Sequence, residues 1–321
     1  MRTTLGLLAL SVLACAGTKD TGNGDDDDLD LGPPQLDLLL VIDTSGSMKE
    51  ESSALAVGLD AIIDALGSAD WQIGVTTASA DPQAGGTTGV DPGEAGSLVG
   101  PVITSAGDNA VETLRAQLLC DTIYWKDNDL ESDPNYAGDA GDCPVPTVVS
   151  REYLGCVCGE ETWNTDEGTG NEEGLEAIYA AICRADGDQP DACWDPTGAL
   201  TTADAGSNAE LWREGVPAAA LIVSDEGDGS RRLTNGDPDP TAYVELYAGT
   251  SRDLEVYVLG PPYHDSDGSC LASAQTWGVE RYQAAAEATG GEYADLTELD
   301  EDCTELDVAT QVAGLLAAAV E

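Results

Sequence analysis

The sequence predicts an α/β fold, a doubly wound, mostly parallel central sheet with helices on both faces and disulfide-stapled loop insertions. Three observations predict it. Nearly continuous apolar runs mark strands covered on both faces. Stretches of helical periodicity fall between those runs, and this alternation is the pattern of a parallel sheet wrapped by crossover helices. Two cysteine-bearing stretches without periodicity interrupt the pattern and need their own restraint.

The first strand is the run Leu36-Asp37-Leu38-Leu39-Leu40-Val41-Ile42. Leu55, Leu59, Ile62, Ile63 and Leu66 then share one helical face. Trp71 to Thr77 alternates as a strand, Val99 to Thr104 reads as a weaker one, and Asp108 to Leu119 reads as helical. Leu175, Ile178, Tyr179 and Ile182 line the next helix. Ala218 to Val223 predicts a buried strand, Tyr243 to Ala248 a piece of helix, and Leu254 to Leu259 another strand. Val279 to Thr289 is again helical and Gly291 to Leu296 a short strand. Val308, Val312, Leu315 and Leu316 mark a last helix, with Thr304 and Asp307 as candidate caps.

Charge and targeting narrow the function. In 321 residues there are 61 Asp and Glu against 12 Lys and Arg, a formal net charge of −49. A nucleic-acid binder working through a basic face is excluded, because phosphate contacts need clustered Lys and Arg. With 42% hydrophobic residues there is still enough to build a core. The one histidine, His264, rules out a zinc site of several imidazoles. It has no evident nucleophile or orienting partner and reads as a loop residue.

Residues 1–14 read as a signal peptide, with Arg2 ahead of the apolar run Leu5 to Ala14, which is too short to span a bilayer. Val12-Leu13-Ala14-Cys15 resembles a bacterial lipobox, which implies cleavage before Cys15 and a lipid on that residue; an ordinary secretory signal is the alternative. Either way the chain is expected to be exported, and with the lipid it belongs to the bacterial cell envelope. Residues 15–34, with Asp25 to Asp28, read as an acidic flexible tether. The folded domain is expected over 35–321, with insertions at about 120–160 and 185–206.

Of nine cysteines, eight remain beyond Cys15: Cys120, Cys143, Cys156, Cys158, Cys183, Cys193, Cys270 and Cys303. An even number in an exported chain suits disulfides. A structural zinc site on Cys156 and Cys158 is the alternative, although CxC is tighter than the usual spacing. Cys183 with Cys193 is a plausible local bridge; the full connectivity is open among on the order of a hundred pairings.

In doubly wound sheets ligands bind beyond the carboxyl ends of the strands. After the first strand comes Asp43-Thr44-Ser45-Gly46-Ser47-Met48, and after the strand ending at Val223 comes Ser224-Asp225-Glu226-Gly227-Asp228. Gly168-Thr169-Gly170 precedes the helix of Leu175. Asp43, Ser45, Ser47, Thr169 and Asp225 are therefore five oxygen side chains expected on one edge. Oxygen-only donors select a hard cation such as Mg²⁺, Mn²⁺ or Ca²⁺.

Val41-Ile42-Asp43-Thr44-Ser45-Gly46-Ser47-Met48 resembles the DxSxS signature of the von Willebrand factor type A (VWA) family, whose metal ion-dependent adhesion site (MIDAS) uses that loop. Thr169, five residues before Gly174, and Asp225 match the family's other two elements. The resemblance covers roughly residues 36–320 apart from the insertions. It implies that Ser45 and Ser47 bind the metal directly, that Thr169 does so with ligand bound, and that Asp43 and Asp225 act directly or through water. Asp228, Asp265 and Asp267 form a candidate second cation site, or simply a solvated acidic loop. Trp163 and Trp277 could rim a binding surface or pack against the disulfides.

The expected function is a tethered, metal-dependent protein-binding module, not an enzyme, whose cation takes an Asp or Glu of a protein partner. Membrane contact is expected through the lipid alone. The rivals are a metal-assisted hydrolase or chelatase-type subunit and a structural envelope lipoprotein with a purely stabilising metal. Against an enzyme, no base or nucleophile is paired near the site and the chain has no phosphate-binding loop.

Overall fold

The computed structural model describes residues 33–80, 94–123, 125, 130, 132–138, 143–159, 172–185, 193, 206–230, 239–249, 254–261, 278–296 and 308–320. Cys15, Thr169, Trp163, His264, Asp265, Asp267, Cys270, Trp277, Cys303, Thr304 and Asp307 lie outside them, as do the expected signal peptide and nearly all of the tether.

Strand β1 (Gln35–Ile42) is the axis of a six-stranded sheet in the order β3-β2-β1-β4-β5-β6. On one side it pairs in parallel with β2 (Asp70–Thr77), on the other with β4 (Ala218–Val223). Strands β5 (Leu254–Gly260) and β6 (Tyr293–Asp295) extend the parallel set beyond β4. The weak strand expected over Val99 to Thr104 shrinks to β3 (Ile103–Thr104), which pairs antiparallel with β2. Gly100 and Pro101 stand just before it, and neither supports ladder pairing.

Side chains of β1 alternate between two cores. Leu36, Leu38, Leu40 and Ile42 face a layer with α1 (Lys49–Val57), α2 (Leu59–Leu66), α3 (Ala110–Ala116), α4 (Arg151–Cys158) and α8 (Val308–Val320). Leu39 and Val41 face a layer with α5 (Gly174–Ala185), α6 (Thr241–Gly249) and α7 (Val279–Thr289). Every residue of α5 is buried, as expected of a helix apolar nearly all round that packs on β1 and β2. Helices thus cover both faces, as predicted.

Three local features depart from the expected pattern. The single helix expected through Leu55 and Leu66 breaks into α1 and α2 at Gly58. There α8 comes so close that a Cβ on Gly58 would lie 2.0 Å from Cβ of Ala309. Past α3 the chain continues as a π-helical stretch, Gln117–Thr122, that carries Cys120. The stretch expected to lack periodicity, 120–160, contains α4, whose Ser150 hydroxyl accepts the Tyr153 N–H as an N-cap.

Disulfide Cys120–Cys158 staples α4 to the π-helical stretch, and Cys143–Cys156 ties α4 to the segment that precedes it. The expected Cys183–Cys193 bridge is also formed. Cys156 and Cys158 are therefore in disulfides, and the zinc alternative for them falls. Closing loops of 38 and 10 residues restricts the unfolded chain by about 4 and about 3 kcal/mol respectively.

Candidate metal centre

Strand order alone locates the site. From β1 the sheet runs through β2 to β3 on one side and through β4 to β6 on the other, so β1 and β4 flank the point where the winding reverses. Their carboxyl ends open the crevice in which such sheets bind ligands. Asp43 follows β1 and Asp225 follows β4 by two residues, and the Asp43 N–H donates to Val223 O at 3.0 Å to hold the two ends together.

The loop after β1 is folded by its own side chains. Asp43 Oδ1 accepts the Ser45 N–H at 2.7 Å, the Asx turn that Asp favours. Ser45 O then accepts the Met48 N–H at 3.2 Å, and buried Met48 anchors the start of α1. This brings Ser45 Oγ and Ser47 Oγ to 3.0 Å, and Ser47 Oγ donates to Asp225 Oδ1 at 3.3 Å. On the inner side Ser224 Oγ donates to Asp43 Oδ2 at 2.7 Å and accepts the Glu226 N–H at 3.2 Å. Asp43, Ser45, Ser47 and Asp225, singled out from sequence, thus form one continuous cluster across β1 and β4.

Asp43 is only 2% exposed. Burial, and then the nearby Asp225 charge, push its carboxyl up to about 7 against the bonds from Ser224 and Ser45. Burial also raises Asp225, reinforced by Glu226 and opposed by the Ser47 hydroxyl. Among the described residues no Lys or Arg makes an ion pair with either.

Glu172, which sequence reasoning passed over, joins this cluster. It is 4% exposed, and its carboxyl is driven well above the usual range by burial, by Asp43 and by Glu226. Its Oε1 is buried without a hydrogen-bond partner among the described residues. A signal was present: Glu172 lies between Thr169 and Gly174 in the segment matched for its threonine. That segment is pinned by Glu173 N–H to Ala78 O at 2.8 Å and by Gly229 N–H to Glu172 O at 2.5 Å.

Of the expected second cation site only Asp228 lies among the described residues. It is fully buried, its Oδ2 is 2.9 Å from Arg281 Nε, and its Oδ1 accepts from Ser230 Oγ at 2.6 Å and Leu175 N–H at 3.2 Å. Its carboxylate is thus paired inward with Arg281 and the start of α5.

The donor set is oxygen throughout, with two crowded carboxylates, two hydroxyls and the buried Glu172 beside them, which fits a hard divalent cation. Among the described residues no group of three or more His, Cys, Asp or Glu is placed to hold a metal ion.

No protein-family model matches the chain, and no curated protein matches it. Among solved structures it is similar to an aerotolerance-related membrane protein from Bacteroides fragilis NCTC 9343 with multiple mutations to serines, at 13% identity and a TM-score of 0.34, over 89% of this chain and all of that one. It is also similar to the pilus adhesin SpaC from Lactobacillus rhamnosus GG, at 12% identity and a TM-score of 0.40, and to that adhesin's open conformation, at 10% and 0.43. Each covers 90% of this chain, which spans 30% of the adhesin. Similarity of this size says nothing about the site.

Proposed function

We propose that this chain is an exported, VWA-like binding module whose MIDAS-type cation is completed by an acidic residue of a protein partner. The observation that carries the reading is the uncompensated cluster of Asp43, Ser45, Ser47 and Asp225 at the switch point between β1 and β4. Buried carboxylates with no cation of their own are costly, and a bound cation removes that cost. Ser45 and Ser47 would hold the ion directly, Asp43 and Asp225 directly or through water, and Thr169 on ligand binding. The ion supplies a positive, incompletely ligated centre to which an external carboxylate can bind despite a chain charge of −49. Mg²⁺ suits this best, because it retains waters that a ligand can displace; Mn²⁺ and Ca²⁺ are the alternatives. No catalytic step is assigned to the site. Lipid at Cys15 and the acidic segment behind it would present the module on the cell envelope.

Calorimetric titration of the full chain with Mg²⁺, Mn²⁺ and Ca²⁺, beside Asp43→Ala, tests the metal. A saturable site lost in the variant is expected; indistinguishable curves would falsify the reading. Partner capture abolished by EDTA and weakened by Ser45→Ala is the corresponding test of binding.

A further inference from the structure

Beneath the cluster lies a buried polar network that the binding reading does not use. Arg281, on the first turn of α7, is 3% exposed, and its Nε is 2.9 Å from Asp228 Oδ2. Its guanidinium carbon lies 5.9 Å from the centre of the Tyr243 ring on α6. Asp228 Oδ1 receives the Leu175 N–H of α5, while Ser230 Oγ receives the Glu176 N–H at 2.9 Å. Tyr247 of α6 donates its hydroxyl to Leu175 O at 2.6 Å, and Tyr243 donates to Glu176 Oε2 at 3.2 Å. Four segments therefore meet at one ion pair: the loop after β4, the first turn of α5, α6 and the first turn of α7.

Two of these segments bear the site. Asp225 stands three residues before Asp228, and Glu172 stands two before Gly174, where α5 begins. The backbone ties them directly, since Gly229 N–H donates to Glu172 O. On the far side Asp228 N–H donates to Gly278 O at 3.3 Å. Gly278 has φ +84°, and a Cβ there would lie 2.6 Å from Asp228 O, so only glycine allows this approach. The loop after β1 joins the loop after β4 through Asp43 N–H to Val223 O, Ser224 to Asp43 and Ser47 to Asp225, outside this network.

We propose that Asp228 and Arg281 are positioning residues, locking the Asp225 loop to the start of α5 so that both present their oxygens to one cation at a fixed separation. The inference rests on the metal-binding reading above. Partners that orient ligands from behind typically change metal affinity by about 10–100-fold when removed. A pair that served stability alone would leave the affinity of the folded protein unchanged.

The test uses the full-length protein and Mn²⁺ as probe, with Arg281→Met, Arg281→Lys and Gly278→Ala, and Arg213→Met as a stability control at the opposite end of the sheet. Arg281→Met and Gly278→Ala are expected to weaken Mn²⁺ binding about tenfold or more, Arg281→Lys to recover part of the loss, and Arg213→Met to bind as wild type while melting earlier. Arg281→Lys keeps the charge and remains informative if Arg281→Met does not fold. Hydrogen exchange without metal gives a second readout. In Gly278→Ala and Arg281→Lys, protection of the amides at 224–229 and 172–176 should fall together while that of Ser45 and Met48 holds. Folded variants with wild-type Mn²⁺ affinity, or segments that open independently, overturn the inference. A wild type without a saturable site overturns the metal reading instead, and exchange still decides whether the pair locks the loops.

Discussion

Strand β1 ends in a buried carboxylate at both poles, and the two are treated in opposite ways. Asp37, 1% exposed, lies near its start. Arg213 binds it there through the backbone N–H and through Nε, the latter at 2.7 Å, and also reaches Asp70 Oδ2 at 2.9 Å. Asp43, just past its end, meets hydroxyls, backbone N–H groups and further acids. At one pole the chain supplies the counterion; at the other, among the described residues, it supplies none. An acidic surface alone does not separate these cases, because charges in water are screened. Burial does, since the charged form must then be compensated or protonated.

Four predictions test the contrast, the largest effect first. Arg213→Met strands Asp37 and should destabilise the protein by about 3 kcal/mol in denaturant unfolding; no change would mean that Asp37 finds another partner. Saturating Mg²⁺ at about 100 times its Kd should stabilise wild type by about 2.7 kcal/mol and Arg213→Met by the same amount, because the poles are independent. Asp43→Asn, which relieves the repulsion, keeps an acceptor for the Ser45 N–H and offers its amide N–H to Ser224 Oγ, whose own hydrogen can go to Glu226 O, should stabilise the metal-free protein by about 1 kcal/mol while removing its response to Mg²⁺. Asp37→Asn should do the reverse, and matching signs for the two aspartates would erase the distinction drawn between the poles.

The fourth prediction concerns pH. The Asp43 carboxyl is raised from 3.8 to about 7 in the folded, metal-free state. The folded state therefore holds a proton that the unfolded chain has lost, and metal-free stability falls as pH rises between those values. A cation replaces that proton and removes the loss. The shift in Tm caused by Mg²⁺ should grow from pH 5 to pH 8 and stay flat in Asp43→Asn. A shift independent of pH would show that the ion binds away from Asp43.

Legibility in the sequence followed the range of the interaction. The apolar run of β1, the alternation of strands with helices and the turn chemistry of Asp43-Thr44-Ser45-Gly46-Ser47 are local patterns and could be read directly. Helix α4 was missed because only part of one face of an eight-residue helix is buried and its staples come from distant cysteines. The break at Gly58 was missed because its cause is Ala309, far along the chain. The ion pair of Asp228 was missed for the same reason: in sequence it resembles any acid in a glycine-rich loop, and only packing brings Arg281 against it.

By itself the sequence determined the α/β class, the order of most elements, the even set of cysteines and the four oxygen residues that flank two strand ends. Local backbone preference and side-chain periodicity are enough for these. Tertiary structure alone decided that β1 lies beside β4, that Ser47 reaches Asp225, that Glu172 is buried beside Asp43 and Glu226, and that, among the described residues, Asp37 has a counterion where Asp43 has none. Those outcomes depend on which distant groups share a buried space, and burial is what turns an ordinary carboxylate into a structural ion pair or a group that holds its proton.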